Sequence, residues 1–245
     1  MTLVSVIIPA FNAQNTLDRA IGSVLGQSHD RIEVIIIDDG STDNTVQIAA
    51  DIAARDSRCT LLRHDQSRGA AAARNTGIDK ANGDYIAFLD ADDVWHPEKL
   101  RRQLAVLAPR GAGICYTGFT RILGSGRRRD VVVPQQVDYQ SLLRGNVICC
   151  SSVVLHRSAL VEARFPPFRR RQDFALWLDL LRGGQSAIGI GDPLVDHHVT
   201  RGSLSSRPLV SMAATYGVYR HHVGMGAPRA AALLGRHLMA RLRRG

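Results

Sequence analysis

The sequence predicts an α/β protein in which a doubly wound, mixed and mostly parallel sheet is flanked by helices. Three observations predict it. Strand-like and helix-like stretches alternate at regular spacing from Leu3 to Leu89, the pattern of βαβ units. The first of these strands, Leu3 to Ile8, is a continuous β-branched run, as expected of a strand buried on both faces. Carboxylates cluster where two of these runs stop, and ligands of open parallel sheets bind outside the carboxyl ends of the strands.

In order, Leu3 to Ile8 is the first strand, broken by Pro9-Ala-Phe-Asn12. Asn15-Thr16 precedes a helix through Leu25 with Leu17, Ile21, Val24 and Leu25 on one face. Ile32 to Ile37 is the second strand and runs into Asp38-Asp-Gly-Ser-Thr-Asp43, where Thr42 or Asp43 is placed to cap a helix from Thr45 to Arg55. Cys59 to Arg63 is a short third strand. Gly69 then opens an alanine-rich helix to Ile78, whose small side chains permit close approach to a sheet or ligand. Tyr85 to Leu89 is a fourth strand, and Pro97 to Leu107 a basic amphipathic helix. Further strands are expected at Ile114 to Arg121 and Val147 to Leu155, with a solvated loop or hairpin over Gly124 to Asp130 between them. A basic loop from Arg164 enters a helix with Phe174, Trp177, Leu178 and Leu181 on one face. Gly191 to Ser206 reads as a loop with a short strand, and a helical tail follows Pro208.

A chain of 245 residues and 26.7 kDa, 45% hydrophobic and 22% charged, buries a full core and is not disordered. The net charge of +9 and pI of 10.1 come largely from arginine clusters at Arg127 to Arg129, Arg169 to Arg171 and the tail, and they suggest anionic partners. Without a recognised motif, charge alone does not make a nucleic-acid binder, and none is expected as partner. Cys59, Cys115, Cys149 and Cys150 lack metal-ligand spacing and fit a reducing, cytoplasmic compartment. No run is apolar for long enough to span a membrane.

The densest chemistry lies at Asp90, Asp92 and Asp93, directly after the fourth strand. Like charges this close repel unless a cation or ligand donors sit among them. A divalent ion shared with a phosphorylated substrate meets that demand. One carboxylate suffices to cap the following helix, and Asp93 is assigned that part.

Taken together, Val6 to Asn12, Ile36 to Asp43, Gly69 to Gly77, Phe88 to Asp93 and Gln172 to Trp177 resemble, in order, the motifs of the inverting family 2 glycosyltransferases of the GT-A fold, especially bacterial members that build surface polysaccharide. The resemblance covers about three-quarters of the chain and implies a catalytic domain over 1–207 with a basic helical tail over 208–245. It implies a nucleotide-diphospho-sugar donor, with UDP as the expected nucleotide, and a glycan or polyprenyl-diphosphate-linked acceptor. Pro9 and Phe11 would line the base pocket, where an aromatic face stacks on a pyrimidine. Asp39 would accept from base or ribose, and Arg74 would contact the nucleotide or brace Asp39. Asp90 and Asp92 match a D-x-D element, with Asp92 as ligand of Mg2+ or Mn2+ and Asp90 toward the ribose. Asp173 matches the catalytic base and would take the acceptor proton; as the first-turn acid of a helix it is also a natural cap.

This chain departs from the family pattern at Gln172, where an acid is commoner, and at His197-His198, Thr200, Ser203 and Ser205, where the basic residues are rearranged. His197 or His198 is a candidate for the metal or diphosphate. A sugar-1-phosphate nucleotidyltransferase would instead carry a glycine-rich phosphate loop after the first strand, where Pro9-Ala-Phe-Asn12 stands. An inactive scaffold would have lost the strand-end carboxylates, which are present. The leucines and arginines from Leu234 to Arg244 suit either packing, on the domain or on a second subunit, which is the favoured reading, or peripheral contact with an anionic membrane near lipid-linked acceptors.

Overall fold

The computed structural model describes residues 2–109, 113–199 and 208–244. Four parallel strands, β1 (Val4–Ala10), β2 (Ile32–Asp38), β3 (Cys59–Arg63) and β4 (Tyr85–Phe88), lie in the order β3-β2-β1-β4. Helices α1 (Leu17–Leu25), α2 (Thr45–Arg55) and α3 (Ala70–Lys80) make the crossovers. Successive residues of β1 point to opposite faces, and both faces are buried. Val6 and Ile8 join Leu17, Ile21 and Val24 of α1 in one core, while Ile7 joins Ala71, Ala73 and Ile78 of α3 in the other. Continuous apolar strands therefore mark a covered sheet, as their sequence suggests. α3 lies close to the sheet because Gly77 has no side chain: a Cβ there would stand 2.5 Å from Ile7 Cγ2.

After β4 the chain forms β5 (Val94–Trp95), α4 (Lys99–Leu107), β6 (Ile114–Leu123), β7 (Arg128–Val131), β8 (Gln136–Asp138), α5 (Tyr139–Arg144), a 3-10 turn (Cys150–Ser152) and β9 (Val154–His156). Then come α6 (Gln172–Leu181), β10 (Ser186–Val199), α7 (Pro208–Gly217) and α8 (Ala227–Arg244). The sheet continues as β4-β9-β6-β10-β5. β9 is antiparallel to both neighbours, β10 runs parallel to β6, and β7 closes a hairpin on β6.

Two segments differ from expectation. The strand expected over Val147 to Leu155 is only Val154–His156, because Ser151 and Ser152 form a buried turn: the Ser151 hydroxyl donates to Asp93 (2.6 Å) and its carbonyl accepts from Trp95 Nε1 (2.7 Å). Conversely, where a loop with only a short strand was expected, the chain is continuous strand from Gly191 to Val199. β10 absorbs its glycine and proline as irregularities, with register shifts on either side of Pro193, the position in a sheet where proline is tolerated.

The tail is part of the body. Val218, Tyr219, Met225 and Ala230 belong to the same core as Phe174 and Trp177, and Tyr219 donates its hydroxyl hydrogen to the Leu143 carbonyl (2.6 Å). Leu233 and Leu234 pack against that core, which supports the packing reading of α8. The side chains of Arg241, Leu242, Arg243 and Arg244, and all of Thr200, Ser203 and Ser205, lie outside the described residues. Among the described residues no helix is long and apolar enough to cross a membrane.

Candidate active site

At the carboxyl ends of β1, β2 and β4 opens a cleft of about 750 Å³. Its lining includes all seven residues expected in the site, Pro9, Phe11, Asp39, Arg74, Asp90, Asp92 and Asp173. Phe11 is 51% exposed, a large aromatic held out at the mouth. The backbone there is fixed by Asn12, which sits at φ 49° and accepts from the Thr42 N–H (2.9 Å).

Asp39 is buried and ties the next loop to the end of β2. Its carboxylate accepts from His64 Nδ1 (2.7 Å), Ser67 Oγ (2.8 Å), Arg68 N (2.9 Å) and Gly69 N (2.8 Å). Burial works to raise its pKa, and these hydrogen bonds outweigh burial and hold it below the ordinary carboxylate value. Gly40 beside it adopts φ 73°, and a Cβ there would meet the Ser67 backbone N at 2.7 Å. A left-handed glycine is therefore required for the 66–67 backbone to fold over Asp39. His64 and Thr76, which bond each other at 3.0 Å, extend this network, and nothing in their sequence context marked them.

Arg74, on α3, is buried and bonds Asp90 at 2.5 Å. Asp90, not Asp39, is thus its carboxylate partner. Nε and Nη1 of Arg74 are also buried and find no partner among the described residues, so the guanidinium has donors to offer a ligand in the cleft.

The three carboxylates after β4 have separate fates. Asp93 is fully buried and does not cap α4, whose N-cap residue is Glu98. It accepts from Ser151 Oγ (2.6 Å), His197 Nδ1 (3.0 Å) and His198 N (2.9 Å), fastening the D-x-D turn to β10 and the 3-10 turn. A capping role at the helix is excluded because α4 begins later, at Lys99, and the carboxylate points into the sheet. His197 is pulled down by burial, but Asp93 more than reverses this and carries it up to about 9, so it is a cation at neutral pH. Among the described residues Asp92 has no such partner. Burial, then the charges of Asp93 and Asp90, push its pKa up to about 7.

That is the environment a divalent cation relieves, and the oxygen donors fit a hard ion such as Mg2+ or Mn2+. Asp93, Cys149 and His197 also bring possible ligand atoms within 4.8 Å of one another, but His197 and Asp93 already bond each other. His198 lines the cleft with its Nδ1 buried and unpartnered among the described residues.

Asp173 lies across the cleft in the first turn of α6. The N-cap residue of α6 is Arg171, in the left-handed conformation at φ 63°, and its side chain makes no capping hydrogen bond. Asp173 lines the cleft while also lying in the first turn of α6, at the positive end of the helix. A carboxylate there can accept a proton from a hydroxyl bound between it and the Asp90–Asp92 wall. Ser211 of α7 and His237 of α8 complete this end; neither was expected, because helical periodicity places a tail residue on a face but not beside a particular strand.

The family model described as "Glycosyl transferase family 2" matches residues 5–164. UDP-Glc:alpha-D-GlcNAc-diphosphoundecaprenol beta-1,3-glucosyltransferase WfgD of Escherichia coli is 35% identical over 217 residues, covering 88% of this chain and 85% of that protein. Among solved structures, S. aureus TarS 1-349 in complex with UDP-GlcNAc superposes with a TM-score of 0.74 at 16% identity, covering 96% of this chain and 71% of that one. The mannosyltransferase PcManGT from Pyrobaculum calidifontis, in complex with GDP-Man and Mn2+, does so with a TM-score of 0.66 at 20% identity, covering 96% and 68%. The two structures share this fold.

Proposed function

This chain belongs to glycosyl transferase family 2, the nucleotide-sugar transferases, and from that premise we propose an inverting, metal-dependent enzyme that uses a UDP-sugar to extend a polyprenyl-diphosphate-linked glycan of the cell surface. The observation that carries this reading is one cleft lined by Phe11, Asp39, Asp90, Asp92 and Asp173. In this reading Pro9 and Phe11 hold the base, Asp39 accepts from it, and Arg74 and Asp90 orient the ribose and diphosphate. Asp92 would hold the cation. When bound, a divalent ion supplies positive charge to the departing diphosphate.

The acceptor hydroxyl attacks the anomeric carbon from the face opposite the diphosphate. The new C–O bond forms as the bond to the nucleotide diphosphate breaks, and the hydroxyl proton passes to Asp173. Residues 1–207 carry this chemistry, and 208–245 close the acceptor end. The enzyme works at the cytoplasmic face of the membrane, where a lipid-linked acceptor is presented. WfgD, named for a diphosphoundecaprenol acceptor, supports this choice of substrate.

The test is calorimetric titration of UDP, GDP and dTDP, with and without Mn2+, on wild type and Asp92→Ala. Metal-dependent tightening for UDP that disappears in the variant is expected. Failure of all three nucleotides to bind would refute the donor site.

A further inference from the structure

Across the β6–β7 hairpin Arg121 stands opposite Arg129, and Phe119 opposite Val131. Residues paired in a ladder share one side of the sheet, and all four line the cleft. On the other edge of β6, Arg121 pairs with His197 of β10. Arg129 and Arg121 therefore stand side by side on adjacent strands at a spacing of about 4.8 Å, with His197, already paired to Asp93, on the next strand. Arg128, one residue away, turns to the opposite side and pairs with Asp196 (2.8 Å).

Like charges directly opposite on a ladder are unfavourable by themselves, and an anion lying over them reverses the sign. Arg121 and Arg129 also make contacts within the chain; the telling feature is two guanidinium groups on one side of a hairpin, opening onto the cleft. Arg170 lines the same cleft with Nη1 buried and without a partner among the described residues. Guanidinium forks match phosphate oxygens in charge and geometry. A donor diphosphate already has Arg74 and the cation site at Asp92, so this second cationic wall exceeds what one diphosphate requires.

We propose that Arg121, Arg129 and Arg170 bind the diphosphate of the acceptor, apart from the donor diphosphate at Asp92. The inference rests on the acceptor reading above. It gives the enzyme a reason to prefer diphosphate-linked acceptors over neutral glycosides of the same sugar.

The experiment titrates farnesyl diphosphate, with farnesol as control, into full-length protein saturated with UDP and Mg2+. Wild type, Arg129→Gln, Arg129→Lys and the double variant Arg121→Gln/Arg129→Gln are compared, and UDP is titrated into each. Loss of charge-assisted hydrogen bonds predicts at least about tenfold weaker farnesyl diphosphate binding in the double variant, near-normal UDP binding, and partial retention in Arg129→Lys. Equal loss of UDP binding would assign these arginines to the donor and overturn the proposal. So would farnesol binding as tightly as its diphosphate, or wild type binding neither. Intact metal-dependent UDP binding in those cases leaves the transferase reading standing, whereas its absence in wild type sinks that reading itself. Arg129 is exposed, so the single variant separates loss of binding from loss of fold.

Discussion

Lys99 is fully buried, its Nζ has no hydrogen-bond partner among the described residues, and it stands 3.8 Å from the centre of the Trp95 ring. Burial lowers its pKa from 10.5 to about 7. An unfolded chain carries this proton up to pH 10.5, so between pH 7 and 10.5 unfolding takes up protons and stability rises with pH. At about 1.4 kcal/mol per pH unit, burying this lysine costs up to about 5 kcal/mol at pH 7 and nothing above pH 10.5. The Trp95 face favours the charged form by up to about 2 kcal/mol, which offsets part of that. Lys99→Met keeps the length and packing and removes the proton. We expect it to stabilise the fold by about 2–4 kcal/mol at pH 7, with the gain shrinking steadily and vanishing near pH 10. Urea unfolding followed by circular dichroism at pH 7, 8, 9 and 10 reads it directly. A gain that does not change with pH, or a loss at pH 7, would refute an unpaired buried ammonium.

Two further outcomes bear on the site. Phe11→Ala is expected to weaken UDP binding by about 1–3 kcal/mol, the worth of stacking one base, without altering the denaturation midpoint, since the ring is half in water; calorimetry beside a thermal melt checks both halves. Asp173→Asn is expected to lower kcat by roughly 10²–10⁴-fold, the range of a general base, while UDP affinity holds; a turnover assay that retains wild-type kcat would remove Asp173 from the chemistry.

The parallel half of the fold was legible because its residues carry the pattern locally. Val4–Ala10 and Ile32–Asp38 are apolar on both faces, and Asp39 and Asp90 follow where the apolar runs end. Asp173 was legible as a first-turn acid because Phe174, Trp177, Leu178 and Leu181 announce the helix behind it. What was not legible depends on partners distant in sequence. Gly191 and Pro193 read as loop, yet β6 supplies the ladder that makes them strand. Arg127 to Arg129 read as a solvated run, although period-two alternation sends Arg128 to Asp196 and Arg129 to the cleft. The environment of Asp93 is set by residues more than fifty positions later, so its local sequence resembled a cap.

The D-x-D turn divides its charge by cation supply. Asp90 receives Arg74 from α3, and Asp93 receives His197 from β10. Each is neutralised by an element that folding brings to it. Asp92 has no ion-pair partner of its own among the described residues; burial and the charges of Asp93 and Asp90 outweigh the opposing pull of His197. A fold that meant all three to be structural would leave none so exposed to like charge, because an unrelieved carboxylate opposes folding. Asp92 lines the cleft together with Asp90, Arg74 and His197. Asp92 is thus the carboxylate of this turn whose charge a bound cation would relieve, which is the physical basis of the role proposed for it above.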